Sequence, residues 1–260
     1  MSKKRFDTNQ IGAMFGKYAH QYDELAALQQ EVNDTCLALA KEYWKKNAHI
    51  LDLGTGTGML AKNAAEQKIG WNITGLDLSF SMCKTASSHE RVVNANAESL
   101  PFADSTFDGV FSSLMLQWSN VPFAVFKEMA RVIKHGGQCI VSTFTYGTLN
   151  ELRESFKSID NHRHVNDFGP PNFFSALAVH AGFQVLLSEE DEYTEYYPDV
   201  TTLLRSLKMI GASTKEGEIR KTLMTPRHLQ KLEHTYHLNF IHADGLPVSW
   251  QVMTMMLRKP

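Results

Sequence analysis

The sequence predicts an α/β fold, a mostly parallel sheet covered by helices on both faces. Three observations predict it. Strand-length apolar runs alternate with helix-patterned stretches as far as Phe144, the pattern of a parallel sheet. The first such run, Ile50-Leu51-Asp52-Leu53, is followed at once by a turn carrying Gly54, Gly56 and Gly58. No internal repeat interrupts the alternation, and no apolar run approaches membrane-spanning length.

The elements follow in order. From Leu25 to Tyr43, apolar residues recur at Leu25, Leu28, Val32, Cys36, Leu39 and Tyr43, steps of three and four that describe one helical face. The first strand and glycine turn lead into a helix from Met59 to about Gln67. "WNITGLDLS" gives a second strand ending at Asp77, and Ser79 or Ser81 can cap the next helix. "RVVNANAESLPF" holds a short third strand and a loop, and "FDGVFSSL" a fourth strand. "VPFAVFKEMARVIKHGG" reads as a helix with Val125, Met129, Val132 and Ile133 on one side, closed by Gly136-Gly137. "QCIVSTF" is the fifth strand. "FFSALAVHAGFQVLLSEE" gives a further helix and strand, and "SWQVMTMMLRK" the last strand. Between these, 198–246 is mostly helical in pattern, with Leu203, Leu204, Leu207 and Ile210 as one apolar set. That segment is expected to form a lid inserted in a single domain, with 1–46 as an amino-terminal helical segment.

Composition narrows the class. Hydrophobic residues at 43% and charged residues at 21% are those of an ordinary globular chain. A net charge of −2 gives no bulk attraction for nucleic acid. The basic start "MSKKR" has no apolar stretch after it and does not read as a secretory signal. Cys36, Cys83 and Cys139 are scattered and odd in number, which suits a reducing compartment. A soluble, cytoplasmic protein is expected.

The glycine turn is built to hold something polar. Glycine lets a ligand approach the main chain with no Cβ in the way, and the helix start behind it offers unpaired N–H donors. A dinucleotide site wants G-x-G-x-x-G with an acidic residue about 20 positions on. Here the third glycine comes one position early, at Gly58, while the acidic residue is present as Asp77. Asp77 supports a ribose; the glycine spacing argues against a pyrophosphate. The plain alternative is a simple strand–helix connection.

"NAESLPFADSTFD" after the third strand resembles the D-A-E-x-L-P-F…F-D stretch of class I S-adenosylmethionine-dependent methyltransferases. The resemblance implies a Rossmann-like sheet of seven strands, the last antiparallel, with a helical lid. It implies that the turn at Asp52, Gly54, Gly56 and Gly58 passes the methionine moiety. Asp77, with Leu78 beside it, then takes the ribose, and Asn96, Ala97 and Glu98 frame the adenine. Asn96 stands where the family usually has Asp, and keeps an acceptor for the adenine amino group.

The flanks resemble a narrower group. "AMFGKYAHQYDELAALQQEV", "SSLMLQWSN", "VSTFTYGTLNELRESF", "DNHRHVNDF" and "SLKMIGA" are similar to successive blocks of the malonyl-acyl-carrier-protein O-methyltransferases of biotin synthesis. That resemblance implies methylation of the free carboxylate of a malonyl thioester on acyl carrier protein, with S-adenosylmethionine as donor and S-adenosylhomocysteine as product. Rival readings are a methyltransferase for another small carboxylic acid or a quinone precursor, and a cofactor-binding regulatory partner without turnover.

Four side-chain groups are candidates around such a reaction. Tyr18 and Tyr22 lie on the amino-terminal segment that covers the cofactor in this fold, where an aromatic face gains about 0.5–2 kcal/mol beside a sulfonium; packing is the plain alternative. Gln117 and Trp118 follow strand four, at the carboxyl ends where open α/β sheets bind ligands. Arg153 is expected to grip the malonyl carboxylate, on a helix capped by Thr148 with Glu151 completing a capping box. "RKTLMTPRHLQK" offers Arg220, Lys221, Arg227 and Lys231 as a basic docking face for the acidic carrier protein. The pairs His162/His164 and His234/His237 lack a convincing third ligand, and no metal site is expected.

Overall fold

The computed structural model describes residues 26–209 and 224–260, together with Gly12, Ala13 and Phe15. Its centre is a seven-stranded sheet: β1 (His49–Leu53), β2 (Asn72–Asp77), β3 (Arg91–Asn94), β4 (Phe107–Ser112), β5 (Ile133–Phe144), β6 (Gln184–Tyr197) and β7 (Leu246–Arg258). The spatial order is β3-β2-β1-β4-β5-β7-β6. β1 to β5 pair in parallel, and β7 runs antiparallel to both β5 and β6. The expected seven-stranded Rossmann-like sheet with an antiparallel last strand is what forms. The described helices are α1 (Ala27–Tyr43), α2 (Met59–Glu66), α3 (Phe80–Ala86), α4 (Pro122–Val132), α5 (Asn150–Phe156), α6 (Pro171–His180), α7 (Val200–Met209) and α8 (Pro226–Phe240). Among the described residues, no helix is long and apolar enough to cross a membrane.

Alternation along the strands makes two cores, one on each face of the sheet. Met253, Met255 and Leu257 of β7 join Val125, Phe126 and Met129 of α4 on one face. Trp250, Val252 and Met256 join Val32, Cys36 and Leu37 of α1 on the other. Local signals set several boundaries. The Ser79 hydroxyl accepts from Met82 N at the start of α3, and Thr225 and His228 form a capping box on α8. Pro122 opens α4, where a missing N–H costs nothing.

Four local expectations are corrected. The buried face of α1 runs through Leu28, Val32, Cys36, Leu37 and Ala40 to Trp44, whereas Tyr43 is 45% exposed; the helix stops at Tyr43 and Trp44 drops inward against Trp71. Leu25 and Ile210 lie outside the described residues. Helix α4 stops at Val132, and Ile133 already begins β5, which runs through Gly136-Gly137. The cause lies at the other end of the chain: Gly136 N donates to Lys259 O (2.8 Å) and Lys259 N to Gly137 O (3.0 Å), so the continuation of β7 pairs with the two glycines and draws them into the sheet, Gly136 at φ +75°. The capping box on α5 does not form. Thr148 Oγ1 instead donates to Gln251 O (3.1 Å), and Glu151 accepts from Ser249 N (3.2 Å), both on β7. Leu149 becomes the N-cap in a left-handed conformation, φ +58°. Finally, β6 and β7 are longer than the runs that suggested them, 14 and 13 residues.

Candidate active site

The turn after β1 is held from below by the end of β2. Gly54 N and Thr55 N both donate to Leu76 O (2.8 and 3.0 Å). All three glycines have positive φ: +83° at Gly54, +57° at Gly56 and +85° at Gly58. Their surroundings differ. A Cβ on Gly54 would collide with the Met115 side chain, one on Gly56 would meet nothing within 4 Å, and one on Gly58 would press on Ala86 at 3.3 Å. Gly54 therefore permits close packing, Gly58 lets α2 start against α3, and Gly56 leaves its space open to a cavity.

Asp77 closes the turn from the neighbouring strand. Its Oδ2 accepts from Gly56 N (3.0 Å) and its Oδ1 from Ser79 N (2.7 Å). Burial pushes its pKa up, and the backbone donors of Ser79, Gly56 and Leu78 oppose that rise. Each oxygen keeps lone-pair capacity toward the cavity. Asp52, 4% exposed at the end of β1, is pushed well above the usual carboxylate range by burial and then by the nearby Glu90.

The loop after β3 makes the next wall. Asn96 Oδ1 accepts from Glu98 N (2.9 Å). Glu98 Oε1 accepts from Ser119 Oγ (2.8 Å), Asn120 N (2.7 Å) and Val121 N (3.1 Å). Glu98 thus clasps this loop to the segment beyond β4. A carboxylate suits that place because it accepts from the Asn120 and Val121 N–H groups just before α4.

Asp52, Gly54, Gly56, Asp77, Leu78, Asn96, Ala97, Glu98 and Trp118 all line one cavity at the carboxyl ends of β1, β2 and β4. Gly58 stands behind the turn. Gln117 is not among the lining residues: it is buried, with Nε2 donating to Leu114 O (2.5 Å) and Oε1 accepting from Thr143 Oγ1 (3.0 Å). It braces Leu114, whose φ is +49°. Trp118 stands edge-on to Phe15, ring centres 5.3 Å apart. Arg153 is also absent from this cavity's lining; its guanidinium donates to Asp167 Oδ1 (2.6 Å) and Asn166 O (2.9 Å). Arg163 holds the other oxygen of Asp167 (2.7 Å). Tyr18, Tyr22, Arg220 and Lys221 lie outside the described residues. Arg227 and Lys231 are on α8, with Lys231 Nζ donating to Ser158 O.

Sequence reasoning missed part of the wall. Gln29 and Asn33, one turn apart on α1, line the cavity. The signal for Asn33 was available: a polar residue beside Val32 and one turn before Cys36 and Leu37, now 5% exposed. Met115 carried no comparable signal, since only the collision with a Cβ at Gly54 reveals its place. One member of each histidine pair is engaged locally. His164 pairs with Asp160 (2.8 Å) and stacks on Phe156, and His237 pairs with Glu233 (3.0 Å). Among the described residues, no group of three or more His, Cys, Asp or Glu side chains is placed to hold a metal ion.

A backbone cradle, an acidic strand end and a polar loop around one cavity suit a nucleoside bearing a cationic group. Known proteins agree. A family model described as a methyltransferase domain matches residues 51–141. The YcgJ protein of Bacillus subtilis shares the fold, with a TM-score of 0.61 at 16% identity over 87% of this chain and 98% of its own. The biotin biosynthesis bifunctional protein BioHC of Teredinibacter turnerae is 34% identical over 266 residues, 96% of this chain. The chain spans about half the length of that relative and of its counterpart in Cellvibrio japonicus. The malonyl-[acyl-carrier protein] O-methyltransferase of Laribacter hongkongensis is 32% identical over 95% of this chain and 88% of its own length. That of Gallionella capsiferriformans is 32% identical over 100% and 93%. Identity at this level from end to end exceeds what a shared fold requires, and the chain belongs to the malonyl-[acyl-carrier protein] O-methyltransferase family.

Proposed function

We propose that the chain methylates the free carboxylate of a malonyl thioester on acyl carrier protein, in the cytoplasm and as an early step of biotin synthesis. The carrying observation is the near end-to-end likeness to relatives of that name, joined to a cavity lined by the glycine turn, Asp77 and the 96–98 loop. S-adenosylmethionine, when bound, supplies a methyl group already activated on a sulfonium; the new O–C bond forms as the S–C bond breaks, and its electron pair stays on sulfur. The substrate carboxylate is an anion at neutral pH, so the protein needs no general base. It must align the reacting atoms and exclude water.

The residues divide accordingly. Asp77, pre-aimed by Gly56 N and Ser79 N, accepts from the ribose hydroxyls. Gly54, Gly56 and the turn backbone hold the methionine moiety, with Asp52 beneath. Leu78, Asn96, Ala97 and Glu98 frame the adenine, Glu98 also fixing the loop that carries Trp118. Trp118, with Tyr18 and Tyr22, covers the reacting centre. Arg153 grips the malonyl carboxylate by exchanging its pairing with Asp167 for the substrate. Gln117 acts at one remove, through Leu114. Segments 1–46 and 198–246 close over a single catalytic domain, and Arg227 and Lys231, with Arg220 and Lys221, meet the acidic carrier protein. Methyl transfer measured with malonyl-carrier protein, malonyl-coenzyme A, free malonate and quinone precursors tests the reading. Turnover confined to the carrier-bound thioester is expected, and preference for a free acid or a quinone precursor would overturn it.

A further inference from the structure

Beneath the glycine turn lies a carboxylate with no assigned role. Glu90, just before β3, accepts a hydrogen bond on Oε1 from Thr55 Oγ1. Its Oε2 is buried without a partner. Thr55 is the middle of the turn: its N–H is tied to Leu76 O, and it lines the cavity on the other side. The fold makes room for this contact with glycine. A Cβ on Gly75 would sit 2.7 Å from Glu90 Oε1, and one on Gly58 3.5 Å.

The charges facing Glu90 are unbalanced. Asp52 of β1 is buried near Glu90, whose charge helps to push the Asp52 carboxyl up. Asp77 of β2 adds a third carboxyl group on the cavity side. Lys46, Lys68 and His89 line the outer hollow behind Glu90, yet among the described residues none of them forms an ion pair with Glu90, Asp52 or Asp77. Unpaired buried carboxylates are costly, and a cationic ligand is what would offset the cost. The donor of this family carries a sulfonium and the product a neutral sulfur. The inference rests on that cofactor reading, and extends it to a residue outside the cavity.

We propose that Glu90 is a specificity-determining residue for the cofactor, forming with Asp52 a carboxylate pair beneath the glycine turn whose negative charge favours the sulfonium donor over the neutral product. Burial raises the Glu90 pKa to about 7, so near neutrality the pair holds a proton that a bound cation expels. Binding of the donor then releases more protons than binding of the product.

Calorimetric titration of the full chain with S-adenosylmethionine and with S-adenosylhomocysteine, between about pH 6 and 8 and in two buffers of different ionisation heat, tests this. The wild type should release more protons to the donor than to the product. Its ratio of product Kd to donor Kd should rise about threefold to tenfold across that range. Glu90→Gln should bind the product normally and lose the pH dependence of the ratio, and Glu90→Asp should keep part of it. Equal proton release by the two ligands in the wild type overturns the proposal, and so does a Glu90→Gln protein that retains the pH-dependent ratio. If Glu90→Gln does not fold, the wild-type proton counts and Glu90→Asp decide. Failure of both ligands to bind the wild type would instead overturn the cofactor reading, and this inference with it.

Discussion

The glycine turn and the segment around Arg153 treat their polar groups in opposite ways. At the turn, Asp77 is aimed by two backbone N–H groups and still faces the cavity. Around Arg153, charges satisfy one another: Arg153 and Arg163 share Asp167. Backbone donors are fixed by the sheet, so the cofactor end is organised before anything binds. Side-chain ion pairs are exchangeable, and an exposed pair is worth only about 0–1 kcal/mol. On the proposed reading, Arg153 would trade Asp167 for the substrate carboxylate at little cost. One region is held by backbone donors, the other by side-chain ion pairs.

The sharpest way to break this contrast is Gly56→Val. A β-branched residue at φ +57° is strained, and its side chain would enter the open cavity. Cofactor affinity should fall by more than about 100-fold, measured by titration with S-adenosylhomocysteine; a folded variant that binds normally would reduce the glycines to turn formers. Asp77→Ala comes next. A hydrogen bond to a charged acceptor contributes about 1.5–3 kcal/mol, so a net loss of one such bond should raise Kd roughly ten- to hundredfold with a smaller change in melting temperature. Arg153→Lys moves to the exchangeable end. It should lose about tenfold in kcat/KM for malonyl-carrier protein, because a point charge replaces a two-pronged donor, while cofactor affinity stays unchanged. Near-normal turnover by Arg153→Ala would remove Arg153 from the site. The smallest effect belongs to the docking face: raising ionic strength from low to physiological should increase the KM for the carrier protein about threefold. A short pantetheine substrate should not respond, and an equal response would rule out docking electrostatics.

The cofactor half was the more legible because its signals are local. Three glycines at alternate positions, an acidic residue at the next strand end and the "NAESLPF" loop each act within a few residues of where they stand, and the structure gathers Gly54, Gly56, Asp77 and residues 96–98 around one cavity. The rest depends on partners distant in sequence. Thr148 and Glu151 read as a capping box until β7, some hundred positions away, takes both side chains. Gly136-Gly137 read as a helix stop until Lys259 supplies strand partners. Gln117 stood beside Trp118 in a promising block, and only Thr143 and Leu114 show that it serves as an inner brace. Glu90 had no local signal at all; its role depends on Thr55 lying opposite it across the turn.

The place of β7 between β5 and β6 has a consequence for how the chain is made. The five parallel strands can assemble as they leave the ribosome, in chain order. β6 cannot join them, because the strand that links it to the sheet is synthesised after two more helices. Until β7 is made, β6 has no partner in this strand order, and 14 residues of strand-forming sequence without a partner are a template for pairing with another chain. Its sequence carries the safeguard: Glu189, Glu190, Asp191 and Glu192 follow one another at its middle. Like charges directly opposite repel across a would-be ladder, so two waiting β6 strands resist each other. When β7 arrives, it meets the run with Thr254, Met253, Val252 and Gln251 and no charge. The acidic run thus fits the uncharged stretch of its own sheet and would meet like charges in a second copy of itself.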